Sequence, residues 1–232
     1  MIEDFKKISP LRILEDSSKK GLGAGDLGIV IARAGTGKTA CLINFAFDAL
    51  FRKKKLVHIS LEDQPEKIDS YYHVIFSDIV RAMDIKEEIE LRQSLEGNRM
   101  ILAYLKQSFD VDRLRGNLAN LKDKAGFKPG ILVLDGLDFE KAGRKTLEGL
   151  KGLAGDFEIG IWLSALSHRH ITQVNERGIP HPCHQVDDLF SIILQLQPEE
   201  DGVLLRLLKD QEDAPSEEVS LFLDPKTFLV RI

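Results

Sequence analysis

A glycine-rich turn between two apolar segments constrains the fold of this chain more than any other feature. The apolar run 29–31 leads into a turn that contains Gly35 and Gly37 and ends in Lys38-Thr39. Glycine can adopt backbone conformations that aim successive N–H groups at one anion, and a helix starting directly behind the turn adds its positive end. Lys38 can reach the outer phosphates of a nucleotide, and the Thr39 hydroxyl suits Mg²⁺. The order strand, turn, helix therefore predicts a nucleoside triphosphate site.

The turn departs from the usual phosphate-loop pattern at its first position, where the pattern has Gly and this chain has Ala32. We expect binding to survive, because the later glycines and Lys38 supply the contacts. The alternative is a chance Gly-Lys turn. The segment from about Thr39 to Phe51 argues against it, since it is apolar nearly all round, which is typical of a helix buried against a sheet. The expected phosphate-binding residues are Arg33, Ala34, Gly35, Thr36, Gly37, Lys38, Thr39 and Ala40.

Apolar runs alternate with amphipathic segments along the chain, and this pattern predicts an α/β fold. After the first strand and helix, strands are expected at 56–61, 100–105, 130–135 and 159–164. Helices are expected at 65–83, 84–98, 111–125 and around 147–154. The tail contains two segment pairs joined by the turns 198–202 and 224–225, which predicts antiparallel hairpins. We expect one domain over 1–232, with a lead-in at 1–20, a mostly parallel central sheet flanked by helices, and a C-terminal hairpin extension of that sheet at 186–232.

The strand 130–135 ends in Asp135. A carboxylate at the C-terminal edge of a buried strand is where a phosphate-binding α/β fold holds its metal, so Thr39 and Asp135 form the expected Mg²⁺ site. Asp138 is a weaker alternative, and an ordinary strand-to-loop aspartate is the remaining one.

Composition and charge disfavour several classes of protein, among them membrane-spanning, secreted and disulfide-stabilised proteins. The net charge of −5 argues against a broad nucleic-acid-binding surface, although a local basic loop stays open. No apolar run reaches the roughly 20 residues of a membrane span, and the first residues carry acids instead of the apolar core of a signal peptide. Two cysteines, Cys41 and Cys183, predict no disulfide framework. These observations predict a cytoplasmic protein with no membrane partner.

Five segments together resemble one family. They are Gly21-Leu22-Gly23-Ala24-Gly25-Asp26-Leu27, the turn 32–39, Ile59-Ser60-Leu61-Glu62, Leu134-Asp135 and Leu207-Leu208-Lys209. In order and spacing, over nearly the whole chain, they resemble the RecA-like ATPase core and, within it, the KaiC-like and DnaB-helicase-like branch. The resemblance implies ATP and Mg²⁺ as ligands. It also implies a homo-oligomer, a hexameric ring in some members, with nucleotide at the subunit interfaces. ATP instead of GTP rests on the resemblance alone, because no base-reading motif is visible.

The resemblance also implies catalytic roles. Glu62 corresponds to the general base for hydrolysis. Alternatively, it is an ordinary carboxylate that caps the following helix, although Asp63 is better placed for that role. Lys209 matches the lysine of a Lys-x-Arg pair that reaches the neighbouring subunit's nucleotide, but Gln211 stands in place of the arginine. Ala165 stands where the helicase-like branch has a γ-phosphate-sensing glutamine, and His168 is the nearest polar substitute. Because loss of a finger arginine costs orders of magnitude in rate, we expect hydrolysis to be slow.

The polar segment 165–185 concentrates histidines, and its interpretation stays open. In RecA-like proteins a mobile loop at this position faces the ring centre and contacts DNA or a partner, so a protein or single-stranded nucleic-acid partner is the first interpretation. A simple disordered loop and a metal site are the others, although the spacing matches no metal motif. The residues concerned are His168, His170, His181, Cys183 and His184.

The sequence therefore predicts an oligomeric ATP-binding protein with slow, Mg²⁺-dependent hydrolysis, using Glu62, Lys38 and Lys209. A nucleotide-gated interaction protein with little or no turnover is the first alternative, favoured by the missing arginine and glutamine. A DNA-binding translocase is the second alternative, and the acidic net charge disfavours it.

Overall fold

The computed structural model, which describes residues 2–17, 21–211 and 219–231, is built around one mixed β-sheet. Its strands are β1 Leu27–Ala32, β2 Leu56–Ser60, β3 Arg99–Ala103, β4 Ile131–Asp135, β5 Gly160–Leu166, β6 Ile192–Glu199, β7 Gly202–Asp210 and β8 Ser220–Leu223. The helices are α1 Ile2–Ile8, α2 Pro10–Ser17, α3 Lys38–Phe51, α4 Pro65–Ala82, α5 Glu88–Glu96, α6 Val111–Ala125 and α7 Phe139–Phe157.

The eight strands lie in the order β3-β2-β4-β5-β1-β6-β7-β8. From β3 to β6 all neighbours are parallel, whereas β7 pairs antiparallel with both β6 and β8. The mostly parallel sheet with an antiparallel edge confirms the predicted α/β class, and this arrangement fits a RecA-like fold. It brings the C-terminal ends of β1, β2, β4 and β5 to the same edge.

Helices cover both faces of the sheet, and the residues of β1 divide between the two cores. Val30 and Ala32 belong to the core under α3 and α4, while Leu27, Ile29 and Ile31 belong to the core under α6 and α7. This alternation explains why all of β1 is apolar and buried. Gly28 leaves room for the ring of Trp162, since a Cβ at that position would lie 2.5 Å from it.

Several predicted elements differ in extent from the structure. The helix expected around 147–154 is the longer α7, Phe139–Phe157. The strand expected at 100–105 is the partly exposed edge strand β3, and the helix expected over 84–98 is shortened to α5. The lead-in forms α1 and α2, although its polar turn at 16–20 lies largely outside the described residues. The first hairpin is confirmed as β6–β7, but the second is reduced to β8 and a single bridge between Leu223 and Val230, while Ile232 lies outside the described residues.

The second hairpin ends early because its turn folds inward. The Asp224 carboxylate accepts hydrogen bonds from the backbone N–H groups of Lys226 and Thr227, and Phe228 then takes a positive φ of 55°. This conformation turns Phe228 into the core and away from a strand path. Within the described residues, no helix is long and apolar enough to cross a membrane.

Candidate functional site

The loop 33–37, called here the glycine loop, joins β1 to α3. Gly35 and Gly37 have φ values of 75° and 91°, in the left-handed region that favours glycine. Gly37 is the N-cap of α3 and, among the described residues, no side chain caps this helix start. The first N–H groups of α3 therefore remain available to an external acceptor. Behind the loop lies Phe228, whose ring would be 1.8 Å from a Cβ at Gly37.

A cleft of about 700 Å³ opens in front of the glycine loop, at the C-terminal edge of the sheet. Its volume falls within the range of roughly 300–1,000 Å³ that is typical of ligand pockets. The cleft combines the glycine loop and the start of α3 with the C-terminal ends of β2, β4 and β5 and with Lys106, which follows β3. The predicted site residues on its walls are Ala34, Gly35, Gly37, Lys38, Thr39, Ala40, Glu62 and Asp135.

Asp135 is the centre of a short hydrogen-bond chain at the floor of the cleft. Its Oδ2 accepts a hydrogen bond of 2.5 Å from Thr39 Oγ1, and its Oδ1 accepts one of 2.5 Å from Ser164 Oγ. The Ser164 hydroxyl in turn accepts from the backbone N–H of Gly136 at 3.0 Å. Asp135 and Ser164 are both buried. A hydroxyl and a carboxylate held together at the edge of a phosphate-sized cleft are the hard oxygen donors that Mg²⁺ prefers, so Thr39 and Asp135 fit this ion.

Lys38 lies beside this chain. Its Nζ donates to the carbonyl oxygen of Arg33 at 3.4 Å. Burial lowers the pKa of Lys38, while the negative charges of Asp135 and then Glu62 act in the opposite direction. The ammonium group therefore sits partly desolvated between the glycine loop and two carboxylates, where an anionic ligand would relieve its loss of hydration.

Glu62 stands on the rim of the cleft with its carboxylate exposed. Its Oε1 lies 3.0 Å from Lys106 Nζ, and its stem packs against Gly136, where a Cβ would be 2.6 Å from Glu62 Cγ. Gly136 has a φ of 87°, a conformation that side chains rarely adopt. The bare backbone behind Asp135 thus makes the space that Glu62 occupies.

Asp63, named as the better-placed cap in the alternative interpretation of Glu62, does not cap the next helix. The N-cap of α4 is Gln64, and Pro65 occupies the first turn as the sequence predicts. Asp63 Oδ1 instead accepts from Lys67 Nζ at 2.7 Å.

Three predicted site residues do not line the cleft. Arg33 borders a separate hollow of about 210 Å³ with Ser167 and Gln195, and Thr36 is buried within the glycine loop. Lys209 is buried, and its Nζ donates to the backbone oxygen of Asp187 at 2.7 Å. In this conformation the Lys209 ammonium group is hydrogen-bonded within its own chain.

Eight cleft residues are not identified from the sequence: Tyr71, Lys106, Gly136, Leu137, Phe139, Glu140, Ser164 and Leu166. The alternation of strand side chains could have identified two of them, because Ser164 and Leu166 face the cleft whereas Ala165 points into the core under α6 and α7. The position next to the cleft is therefore Ser164 and not Ala165. His168, the expected polar substitute, does line the cleft and lies 3.7 Å from Glu140.

The segment 167–186 contains an isolated bridge between Val174 and Pro180 and several hydrogen bonds, which disfavours the interpretation as a simple disordered loop. Asn175 accepts from the N–H groups of Arg177 and Ile179 and donates to Asp187 Oδ1. The metal interpretation finds no support either, because the described residues contain no group of three or more potential ligands.

The histidines of this segment form two separate pairs. His168 and His170 have ring centroids 5.6 Å apart, and those of His181 and His184 are 5.5 Å apart. Burial, followed by the neighbouring His184, lowers the pKa of His181. Cys183 is fully buried, and burial raises the pKa of its thiol, so it is a core residue in this structure.

Comparison with known proteins gives a distant relationship. No family model matches the chain. Over 179 residues the chain is 27% identical to a DnaB-like replicative helicase of Enterobacteria phage T4. The aligned region covers 67% of this chain and 38% of the helicase, so the chain spans well under half the length of that relative. This weak similarity suggests a helicase-like, nucleotide-binding family.

Proposed function

We propose that this chain binds ATP together with Mg²⁺ in the cleft and hydrolyses it slowly. The observation that carries the proposal is the contact of Thr39 and Asp135 directly beside Lys38 and the uncapped start of α3. Each of these features occurs in many proteins, but together they provide N–H donors, a cation and hard oxygen ligands around one phosphate-sized space. The distant similarity to a replicative helicase supports the same conclusion.

Different residues of the cleft would bind the phosphates and the Mg²⁺ ion. The N–H groups of the glycine loop and of the first turn of α3 would hold the phosphates, and Lys38 would contact the outer ones. Thr39 and Asp135 would hold Mg²⁺, which neutralises charge on the phosphate oxygens when it is bound. Ser164 keeps the Asp135 carboxylate turned toward Thr39.

Glu62 is the proposed base. A carboxylate on the rim of the cleft can accept a proton from the attacking water and orient it toward the terminal phosphate. Turnover is proposed to be slow because Gln211 is not a finger arginine and Lys209 is buried. The Gln211 side chain donates to the backbone oxygen of Gly21 at 3.2 Å, within its own chain.

The test is Mg²⁺-dependent phosphate release from ATP, with the assembly state followed by light scattering in the same samples. We expect wild type to turn over and Glu62→Gln to bind ATP without hydrolysing it. Glu66→Gln is the matched control, since Glu66 is exposed in the first turn of α4 and does not line the cleft. Equal activity in wild type and Glu62→Gln would remove Glu62 from the mechanism, and failure of wild type to bind ATP would refute the proposal.

A nucleotide-gated interaction protein is the second candidate, and one contact favours it. The Glu62 carboxylate is engaged by Lys106, so the base is not free in this structure. An assembly change on ATP binding, with no phosphate release, would select this candidate. A translocase would instead show ATPase activity stimulated by single-stranded DNA and DNA binding that weakens steeply with salt.

A further inference from the structure

Lys106 is a cation of the cleft to which the proposed mechanism assigns no role. It begins the short helical turn Lys106–Ser108, which is separated from β3 by two residues, and its side chain lines the cleft. Its Nζ lies 3.0 Å from Glu62 Oε1, and the two side chains are 42% and 61% exposed. In the part of the chain that the structure describes, Lys106 is the one hydrogen-bonding or ion-pairing partner of the Glu62 carboxylate.

The surroundings of Glu62 leave its carboxylate between two lysines. Its stem packs against the bare backbone of Gly136. Lys106 contacts one carboxylate oxygen, and the charge of Glu62 is also felt by Lys38 deeper in the cleft. Any anion that enters between Lys38 and the rim therefore competes with Glu62 for the ammonium group of Lys106.

The competition favours a terminal phosphate over the carboxylate. An exposed lysine–carboxylate pair is worth little, because water and salt screen it and two flexible side chains must be ordered. A terminal phosphate carries about two negative charges and offers three acceptor oxygens, and lysine can meet it with three rotatable donors. The pair is thus weak enough to exchange.

We infer that Lys106 leaves Glu62 for the terminal phosphate when a nucleoside triphosphate binds. This exchange frees the Glu62 carboxylate for the attacking water and provides, from the same chain, a cation that Gln211 does not supply. Lys106 is then both a sensor of the terminal phosphate and a restraint on the base while the cleft lacks a triphosphate. The inference rests on the proposed function.

A double-mutant cycle of Lys106 and Glu62 tests the exchange. The affinities for ATPγS and for ADP are measured in Mg²⁺ with wild type, Lys106→Met, Glu62→Gln and the double variant. We expect Lys106→Met to weaken ATPγS binding about tenfold, as for a lost hydrogen bond to a charged group, and to leave ADP binding within about twofold. Glu62→Gln should tighten ATPγS binding about threefold, because it releases Lys106 from an exposed ion pair.

The decisive result is the coupling between the two changes. In the Lys106→Met background, Glu62→Gln should have no effect on ATPγS affinity, whereas independent effects would add. Lys106→Arg should keep the preference for ATPγS over ADP. Lys128→Met is the control, because Lys128 forms a comparable exposed pair with Glu158 at the opposite edge of the sheet.

Each failure has a different meaning. Additive effects, or an equal loss of ADP and ATPγS affinity in Lys106→Met, would overturn the exchange while leaving ATP binding and the role of Glu62 intact. Wild type that binds neither nucleotide would refute the proposed function and the exchange with it.

Discussion

The hydroxyl of Ser164 provides the sharpest quantitative test of the site. It donates to Asp135 Oδ1 at 2.5 Å and accepts from Gly136 N–H at 3.0 Å, and it is 1% exposed. Ser164→Ala removes both contacts, leaving one carboxylate oxygen and one backbone N–H without their partner. A buried polar group that loses its partner costs about 1–3 kcal/mol, and Asp135 keeps its contact with Thr39, so we expect a loss of about 2 kcal/mol in the free energy of unfolding.

The loss can be measured by urea unfolding. Trp162, the single tryptophan, lies two positions before Ser164 in β5 and is fully buried, so its fluorescence reports on this part of the sheet. We expect the midpoint to fall with an unchanged dependence on urea, and the melting temperature to fall by about 4–8 °C for a chain of this size.

The matched control is Ser70→Ala. Ser70 is exposed on α4, where its hydroxyl donates to the Glu66 carbonyl oxygen, and its removal should change stability by less than about 0.5 kcal/mol. Because Asp135 is the proposed Mg²⁺ ligand, Ser164→Ala should also raise the Mg²⁺ concentration needed for half-maximal phosphate release. A stability loss below about 0.5 kcal/mol would refute the argument that Ser164 holds Asp135.

Two further changes test the rim of the cleft and the interior of the sheet. Gly136→Ala should lower phosphate release by more than tenfold with ADP affinity retained, since the new methyl would overlap Glu62. The control is Gly152→Ala, in open space on α7, which should leave the free energy of unfolding unchanged or raise it by up to about 1 kcal/mol. Equal turnover in both variants would contradict the packing argument. Burial lowers the pKa of His58 to about 3 from 6.5. The neutral ring therefore contributes its full stability above pH 6.5. As the pH falls from 6.5 toward 3, this contribution to the free energy of unfolding is lost by up to about 1.4 kcal/mol per pH unit. His58→Gln can still hydrogen-bond the Tyr72 hydroxyl, which lies 2.9 Å from His58 Nδ1. Urea titrations at several pH values should then show a smaller fall of the free energy of unfolding with decreasing pH. An unchanged pH dependence would show that His58 is not the cause of the acid sensitivity.

Local signals explain which parts of the fold the sequence predicts well. The helix α6 runs over the predicted residues because Asp110 caps it through Arg113 N–H at 2.9 Å and Gly126 ends it with a φ of 61°. The signal for the strand that ends in Asp135 is equally local, since a short apolar run followed by one acidic residue predicts it.

The missed residues depend on distant contacts. Lys106 meets Glu62 only because β3 pairs with β2, which joins residues 44 positions apart. Ser164 faces the cleft and Ala165 does not because of the pleat of β5, whose phase is set by its neighbours in the sheet. The contact of Lys209 with Asp187 likewise joins residues 22 positions apart, and no pattern within either segment encodes it.

The packing of Phe228 behind Gly37 has a consequence for the order in which the protein matures. Asn44 Nδ2 donates to the Thr227 carbonyl oxygen at 3.0 Å, so the same late turn also fastens α3. In addition, the parallel neighbours of β1 in the sheet are β5 and β6, both made long after it. A chain still being synthesised therefore exposes the glycine loop without its support until residues 227–229 have emerged, and closing such long loops is slow. The proposed ligand, ATP, would therefore be unable to stabilise early nascent chains. The candidate phosphate site would be among the last parts of the fold to become competent.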